Sequence, residues 1–375
     1  MFIVTNRNIR NEAGNDFDVV GETFNEKGPA ELRLLEVGRK GRKWNVRVLP
    51  DAVTDQMLAE VGLERPPPTL LDDGKTEKPT PVYASQYAFR KIIAQALADR
   101  DNPKHIVFFV HGFNNALEDV ALRCDLLAKT YGVEVVAFSW PANGGGIRGV
   151  ASYLDDKRDA QASVVAFDRA MDKARQLLLD LRASAIDTII KDAKNERGAR
   201  VNSERFRERV SAMAEADCPV RVTLMLHSMG NYLLERTLKS SALRGSLPLF
   251  DNIAMCAADV NTAMHAEWVD RLQPRSRLYI TINEDDGALR ASRLKGGDEQ
   301  LARLGHWTNT LDSSQATYVD FTNAKRVGSS HAYFEGEPLE NPAVKKFFKA
   351  VLRGLRAEDD VTLTYDAAKN LHRFG

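Results

Sequence analysis

The apolar run RVTLML (221–226) ends in LHSMGN (226–231), and NYLLERTLKSS continues from there with the apolar spacing of a helix. A serine at such a junction, here Ser228, has two uses. Its hydroxyl can cap the free N–H groups of a first helical turn. Given a base to take its proton, an acid to hold that base and N–H donors for an oxyanion, it can instead attack a carbonyl carbon. The second use requires a histidine and a carboxylate at neighbouring strand ends, where reactive groups collect in open parallel sheets.

His331, in VGSSHAYF, meets the first requirement: it follows the strand-like ATYVDF and precedes the last helical stretch. His306, in RLGHWTN, comes before that strand and is expected near the opposite edge of the sheet or on the surface. His227 alternates away from its neighbour and reads as a flank rather than the base. The acid should follow an intermediate strand. RLYITI is succeeded by NEDDGAL, which offers Glu284, Asp285 and Asp286, and Asp259 in AADVN competes from the previous strand end. Asp286 is preferred to Asp285, and either to Asp259. Oxyanion donors come from the residue after the nucleophile and from the loop after an earlier strand. These are the amides of Met229 and of Phe113, the latter in HGFNNA, where Gly112 permits a tight turn; His111 and Asn114 can be plain loop residues.

The elements that must position these groups are visible in the rhythm of the chain. From residue 85 on, HIVFFV, VEVVAF, RVTLML, NIAMCAA, RLYITI and ATYVDF alternate with ALEDVALRCDLLAKTYG, NYLLERTLKSS, NTAMHAEWVDRL and ALRASRLK, stretches of helical period. Strand alternating with helix predicts an α/β fold, a mainly parallel sheet covered by helices on both faces. Residues 1–80 form a β-rich addition (FIVTNR, AELRLLEV, KWNVRVLP) ending in a Pro-rich linker, RPPPTLLDDGKTEKPTP. Residues 81–360 form the main domain and 361–375 a tail. Between VEVVAFSW and RVTLML lies a Gly-rich turn, ANGGGIRG, and then a charged helical insertion at about 155–216, either a lid or a longer crossover. Trp140 and Phe113 are an apolar wall for an acyl group or, for the tryptophan, part of the core.

Composition excludes several alternatives. Among 375 residues, 52 basic and 52 acidic side chains cancel, so nothing favours a nucleic-acid partner or a polybasic membrane surface. Three scattered cysteines read as reduced and structural. No apolar stretch approaches the ~18 residues of a membrane span, and no signal sequence is evident. A cytoplasmic protein is expected, with export by a route lacking a cleaved signal left open. No H-x-x-x-H or C-x-x-C pattern suggests a metal, and GGG at 144–146 is too bare for a phosphate loop.

Taken together, FFVHGFNN, FSWPANG, LHSMGNYLL, AADVN, DDGALRAS, RLG and SHAYF resemble the α/β-hydrolase superfamily, and within it a bacterial branch with no assigned substrate. The resemblance covers about residues 85–355. It implies Ser228 as nucleophile, His331 as general base, Asp286 in the D-x-A-L position as the acid that holds it, and Phe113 and Met229 as oxyanion donors, with no cofactor. Leu226 departs from the usual glycine two places before the serine, and the helical insertion is a second departure. The implied activity is cleavage of a carboxylic ester, small or lipid-like, through an acyl-enzyme. The same residues serve thioesterases, peptidases and acyltransferases, and the fold also serves non-catalytic binding modules.

Overall fold

The structure is a computed structural model that describes residues 1–70, 77–99, 104–142, 149–195, 220–240, 249–293 and 302–374, with backbone alone at 149–152 and 184–195. Its strands are β1 (Phe2–Thr5), β2 (Arg7–Ile9), β3 (Val20–Phe24), β4 (Arg33–Lys40), β5 (Lys43–Val48), β6 (Thr69–Leu70), β7 (Glu77–Lys78), β8 (His105–Val110), β9 (Val133–Ser139), β10 (Val222–His227), β11 (Asn252–Cys256), β12 (Arg277–Ile282), β13 (Ala316–Asp320), β14 (Leu363–Asp366) and β15 (Leu371–Phe374). One 11-stranded sheet runs in the order β14-β15-β13-β12-β11-β10-β8-β9-β1-β4-β5. Every neighbouring pair from β15 across to β1 is parallel, and the antiparallel pairs lie at the two margins. This is the mainly parallel α/β architecture that the alternating rhythm predicts.

The period-2 alternation of each strand divides the core between the two faces. In β8, Ile106, Phe108 and Val110 pack on one side, whereas Val107 and Phe109 pack on the other; Leu224 and Leu226 of β10 join the first group and Met225 the second. The first face is covered by helices Ala84–Ala96, Val164–Asn195 and Met229–Ser240, the second by Leu117–Tyr131 and Pro342–Leu352. The last of these shows why the sequence makes a helix there. Asn341 caps it by accepting the Ala343 N–H at 3.0 Å, and Pro342 occupies the first turn, where its missing donor costs nothing. Val344, Phe347, Phe348 and Val351 fall on one stripe and are buried.

The chain's two ends are built into this sheet. β1 lies parallel to β9, with Phe2 opposite Val136 and Thr5 opposite Ser139, and β4 and β5 extend the sheet beyond it. Arg7, 1% exposed, ties this first segment to the loops at the strand ends. Its Nη2 donates to the Asn115 and Trp140 carbonyls at 2.8 and 2.7 Å. Burial lowers its pKa to about 10, and the carboxylate of Asp156 opposes that shift. At the other end β15 pairs with β13, so 363–374 is an edge hairpin. The Pro-rich stretch holds a small ribbon, β6 with β7, and NTAMHAEWVDRL is helical only over Ala266–Val269. Helices Gly149–Ala162 and Val164–Asn195 occupy the first part of the insertion; 196–216, GGG at 144–146 and Cys218 lie outside the described residues.

Candidate active site

β8 and β10 are parallel neighbours, so the residues after them, His111-Gly112 and Ser228-Met229, emerge side by side. At Ser228 the backbone takes φ +54°, the left-handed region that a residue with a Cβ adopts at a cost of about 1–3 kcal/mol. Several hydrogen bonds hold it there. The Ser228 N–H donates to the Cys256 carbonyl at 3.0 Å. The Ser228 carbonyl accepts from both the backbone N–H and Nδ2 of Asn231, at 3.1 and 3.0 Å. Two glycines allow the crossing itself. A Cβ on Gly230 would lie 2.8 Å from the Val110 and His111 carbonyl oxygens, and one on Gly112 would lie 2.7 Å from the Ser228 Cβ. Leu226 points into the core and is fully buried, which is why this position accepts a large side chain.

Asp286 and His331 are brought together by a different set of contacts. Asp286 is fully buried; its Oδ1 accepts the N–H groups of Ala288 and Leu289 at 2.9 and 3.0 Å, capping the helix Gly287–Arg293. Its Oδ2 accepts from His331 Nδ1 at 2.7 Å. With the ring proton on Nδ1, the Nε2 lone pair is left to act as a base. The loop carrying His331 is clamped by Asn283, whose Nδ2 donates to the Gly328 and Ser330 carbonyls at 2.9 and 3.0 Å. Tyr333 fixes its far side, accepting the Ala257 N–H at 3.2 Å and exchanging a 2.7 Å hydrogen bond with Thr281 Oγ1.

The competing acids are engaged elsewhere. Asp285 stands on the surface 3.8 Å from Arg290. Asp259 belongs to a buried network: it accepts Tyr153 OH at 2.9 Å, Ser292 Oγ at 2.8 Å and Arg303 Nε at 3.1 Å, while Arg303 reaches Asn261 Oδ1 at 2.8 Å.

One histidine, His306, departs from expectation. His306 lies neither at the opposite edge nor on the surface. Its segment folds back over the carboxyl ends of β11 and β12, with Gly305 N–H on the Ala258 carbonyl and Asn283 N–H on the Gly305 carbonyl, so His306 is buried near Asp286. His227 lies against the His331 ring. Its ring centroid is 4.7 Å from that of His331, and its Nε2 donates to the His331 carbonyl at 3.2 Å. Trp140 is core: fully buried, it stacks on His111 at 5.2 Å.

The loop with Phe113 is braced by His111 and by two groups that the sequence reading did not single out, Tyr153 and Asp156. His111 Nε2 accepts the Trp140 N–H at 3.1 Å, which puts the ring proton on Nδ1, where it donates to the Gly112 carbonyl at 2.9 Å. From the first helix of the insertion, Asp156 accepts the Asn114 N–H at 3.0 Å, and the Tyr153 ring packs on Phe113 at 5.8 Å. Tyr153 and Asp156, three residues apart, share one helix face. That spacing was the available signal. Among the described residues no group of His, Cys, Asp or Glu is arranged to hold a metal ion. The buried thiols of Cys124 and Cys256 are pushed up to about 12 by burial, far from the range of reactive cysteines.

Burial holds both flanking histidines neutral, lowering His111 to about 3 and His227 well below 6.5. Each binds a proton more readily when unfolded, so the stability they contribute is complete above about pH 6.5 and is lost as pH falls toward their folded values. The loss approaches about 1.4 kcal/mol per pH unit for each. Urea midpoints should therefore fall between pH 7 and 5, with a shallower slope in His111→Gln. A midpoint flat over that range would contradict this reading.

The family described as "Alpha/beta hydrolase of unknown function (DUF900)" matches residues 85–178 and 182–354. A comparison with curated proteins finds no match. Among solved structures, phospholipase PlaB from Legionella pneumophila in complex with thio-NAD is similar at 10% identity and a TM-score of 0.19, over 58% of this chain and 38% of that one. This chain thus spans well under half of the phospholipase, and so loose a likeness carries no argument. The family match takes in more than half of the chain, and the protein belongs to this family of α/β hydrolases.

Proposed function

We propose that the protein is a serine hydrolase that cleaves a carboxylic ester, small or lipid-like, through an acyl-enzyme intermediate. The observation that carries the reading is the 2.7 Å hydrogen bond from His331 Nδ1 to the buried Asp286, at the same end of the sheet as the left-handed turn bearing Ser228. Ser228 Oγ attacks the ester carbonyl as His331 Nε2 takes its proton. The amides of Phe113 and Met229 receive the oxyanion. The C–O bond then breaks, the alkoxide leaves with the proton from His331, and water repeats the sequence to release the acid. Asp286 holds the ring and stabilises the imidazolium. Neutral His227 against the ring adds no charge to oppose that imidazolium. The Phe113 and Tyr153 rings pack on each other and offer an apolar surface for an acyl group.

With p-nitrophenyl butyrate as substrate, Ser228→Ala and His331→Ala should each lower kcat by about 10^4, and Asp286→Asn by about 10^2–10^4. The double variant Ser228→Ala/His331→Ala should be no worse than either alone. Retained turnover in Ser228→Ala would falsify the assignment.

The brace from the insertion makes a separate demand. Without the Asp156 carboxylate the Asn114 amide loses its acceptor, and the preceding Phe113 amide drifts from the position where charge develops. Asp156→Ala should lower kcat about 10–100-fold with KM within about threefold. Asp156→Asn, which keeps an acceptor oxygen, should recover most of that loss. Equal kcat in wild type and Asp156→Ala would remove the brace from the account.

A further inference from the structure

A cavity of about 460 Å3 lies between the sheet and the helices Ala84–Ala96 and Val164–Asn195. Its floor is the side chains of Phe2, Leu34, Phe108 and Val222, and its wall includes Ile92 and Leu178. The space exists because the facing helices present alanines, Ala84 and Ala88 on one and Ala170 and Ala174 on the other, where larger residues would close the gap. Packed interiors keep few voids larger than a water molecule, and this volume lies within the ~300–1,000 Å3 of small-molecule sites. Val222 begins β10 and Ser228 follows its end, a strand length of roughly 20 Å at about 3.3 Å per residue. The cavity is therefore distinct from the reaction centre.

The charges around its mouth are uneven. Arg33 is taken up by Glu31 at 2.5 Å and by Asp51 at 3.9 Å. Arg169 and Lys173 stand one turn apart on the insertion helix; Arg169 feels the Glu31 carboxylate, which is already hydrogen-bonded to Arg33. Arg169 Nη1 donates to the Ala30 carbonyl at 2.6 Å, and the half-buried Lys173 has no hydrogen bond or ion pair among the described residues. An apolar chamber whose lining carries Arg33, Arg169 and Lys173 against Glu31 and Asp51 has a cationic excess at its rim, which favours an amphiphile with an anionic head.

We propose that this cavity binds a monomeric long-chain carboxylate, its chain between the two helices and its head group on Lys173 and Arg169. At about 30 Å3 per water-sized group the space accepts on the order of 15 methylenes. The proposal does not rest on the role given to Ser228.

The test is calorimetric titration with dodecanoate below its micellar concentration, on the full chain and on two variants. Ala174→Trp obstructs the cavity from its helix wall and Lys173→Glu reverses the charge at its mouth. The wild type should bind one dodecanoate, with affinity falling roughly tenfold for every two methylenes removed. Ala174→Trp should weaken binding at least tenfold. Lys173→Glu should weaken dodecanoate several-fold while improving dodecyltrimethylammonium. Should Ala174→Trp fail to fold, Lys173→Glu and the chain-length series decide alone. Equal affinity in wild type and variants, no saturable binding, or adsorption to anionic phosphatidylglycerol vesicles without one-to-one dodecanoate binding would each overturn the proposal.

Discussion

The candidate site depends on how closely two neighbouring strand ends can approach. The turn at Ser228 presses against the loop leaving β8, and the contact is tolerated only where side chains are missing. Gly230 faces the Val110 and His111 carbonyls, and Gly112 faces Ser228 itself. A methyl group at either position would move the helix Met229–Ser240 off the sheet or the Phe113 loop off the serine. The geometry that sets a serine beside backbone amides is thus a packing constraint before it is a chemical one. The left-handed φ of Ser228 is held by Asn231 and the Cys256 carbonyl rather than by the serine's own preference.

Around that crossing several buried polar groups are paired with one another, and those partnerships link distant parts of the chain. Arg7 joins the first strand to the Asn115 and Trp140 carbonyls. Asp156 and Tyr153 join the insertion to the Phe113 loop and to Asp259, and Arg303 closes the network from the other side. Buried charges persist only when paired and hydrogen-bonded, so each link fixes relative position as well as neutralising charge. The N-terminal strand and the start of the insertion are in this sense parts of the site's scaffold.

Much of this was legible before any coordinates. Apolar runs alternating with helical stretches specify a parallel sheet, because crossover connections leave buried strands no other arrangement. Ser228, Asp286 and His331 follow strands whose order then places them at one end. Within NEDDGAL, only Asp286 can cap the next helix with one oxygen and meet His331 with the other. The sequence offered Asp285 and Asp259 as rivals because residue type and strand position do not reveal which way a loop turns. His306 was misplaced for the same reason: the segment after 301 doubles back over the strand ends, a tertiary path with no local signature. Arg7 and Asp156 were missed because a charged residue in a polar stretch reads as solvated until its surroundings are known. The pairing of the first strand with β9 spans more than a hundred residues, so no local pattern announces it.

The central claim is that Ser228 is an activated nucleophile whose base is His331. Intact-mass labelling with a small fluorophosphonate tests it most directly, since the reagent requires activation of the hydroxyl but no knowledge of the natural ester. The account predicts one adduct on the wild type, mapped to Ser228, absent from Ser228→Ala and severely slowed in His331→Ala. A folded wild-type protein that takes up no label, or a label that persists undiminished in Ser228→Ala, would contradict it.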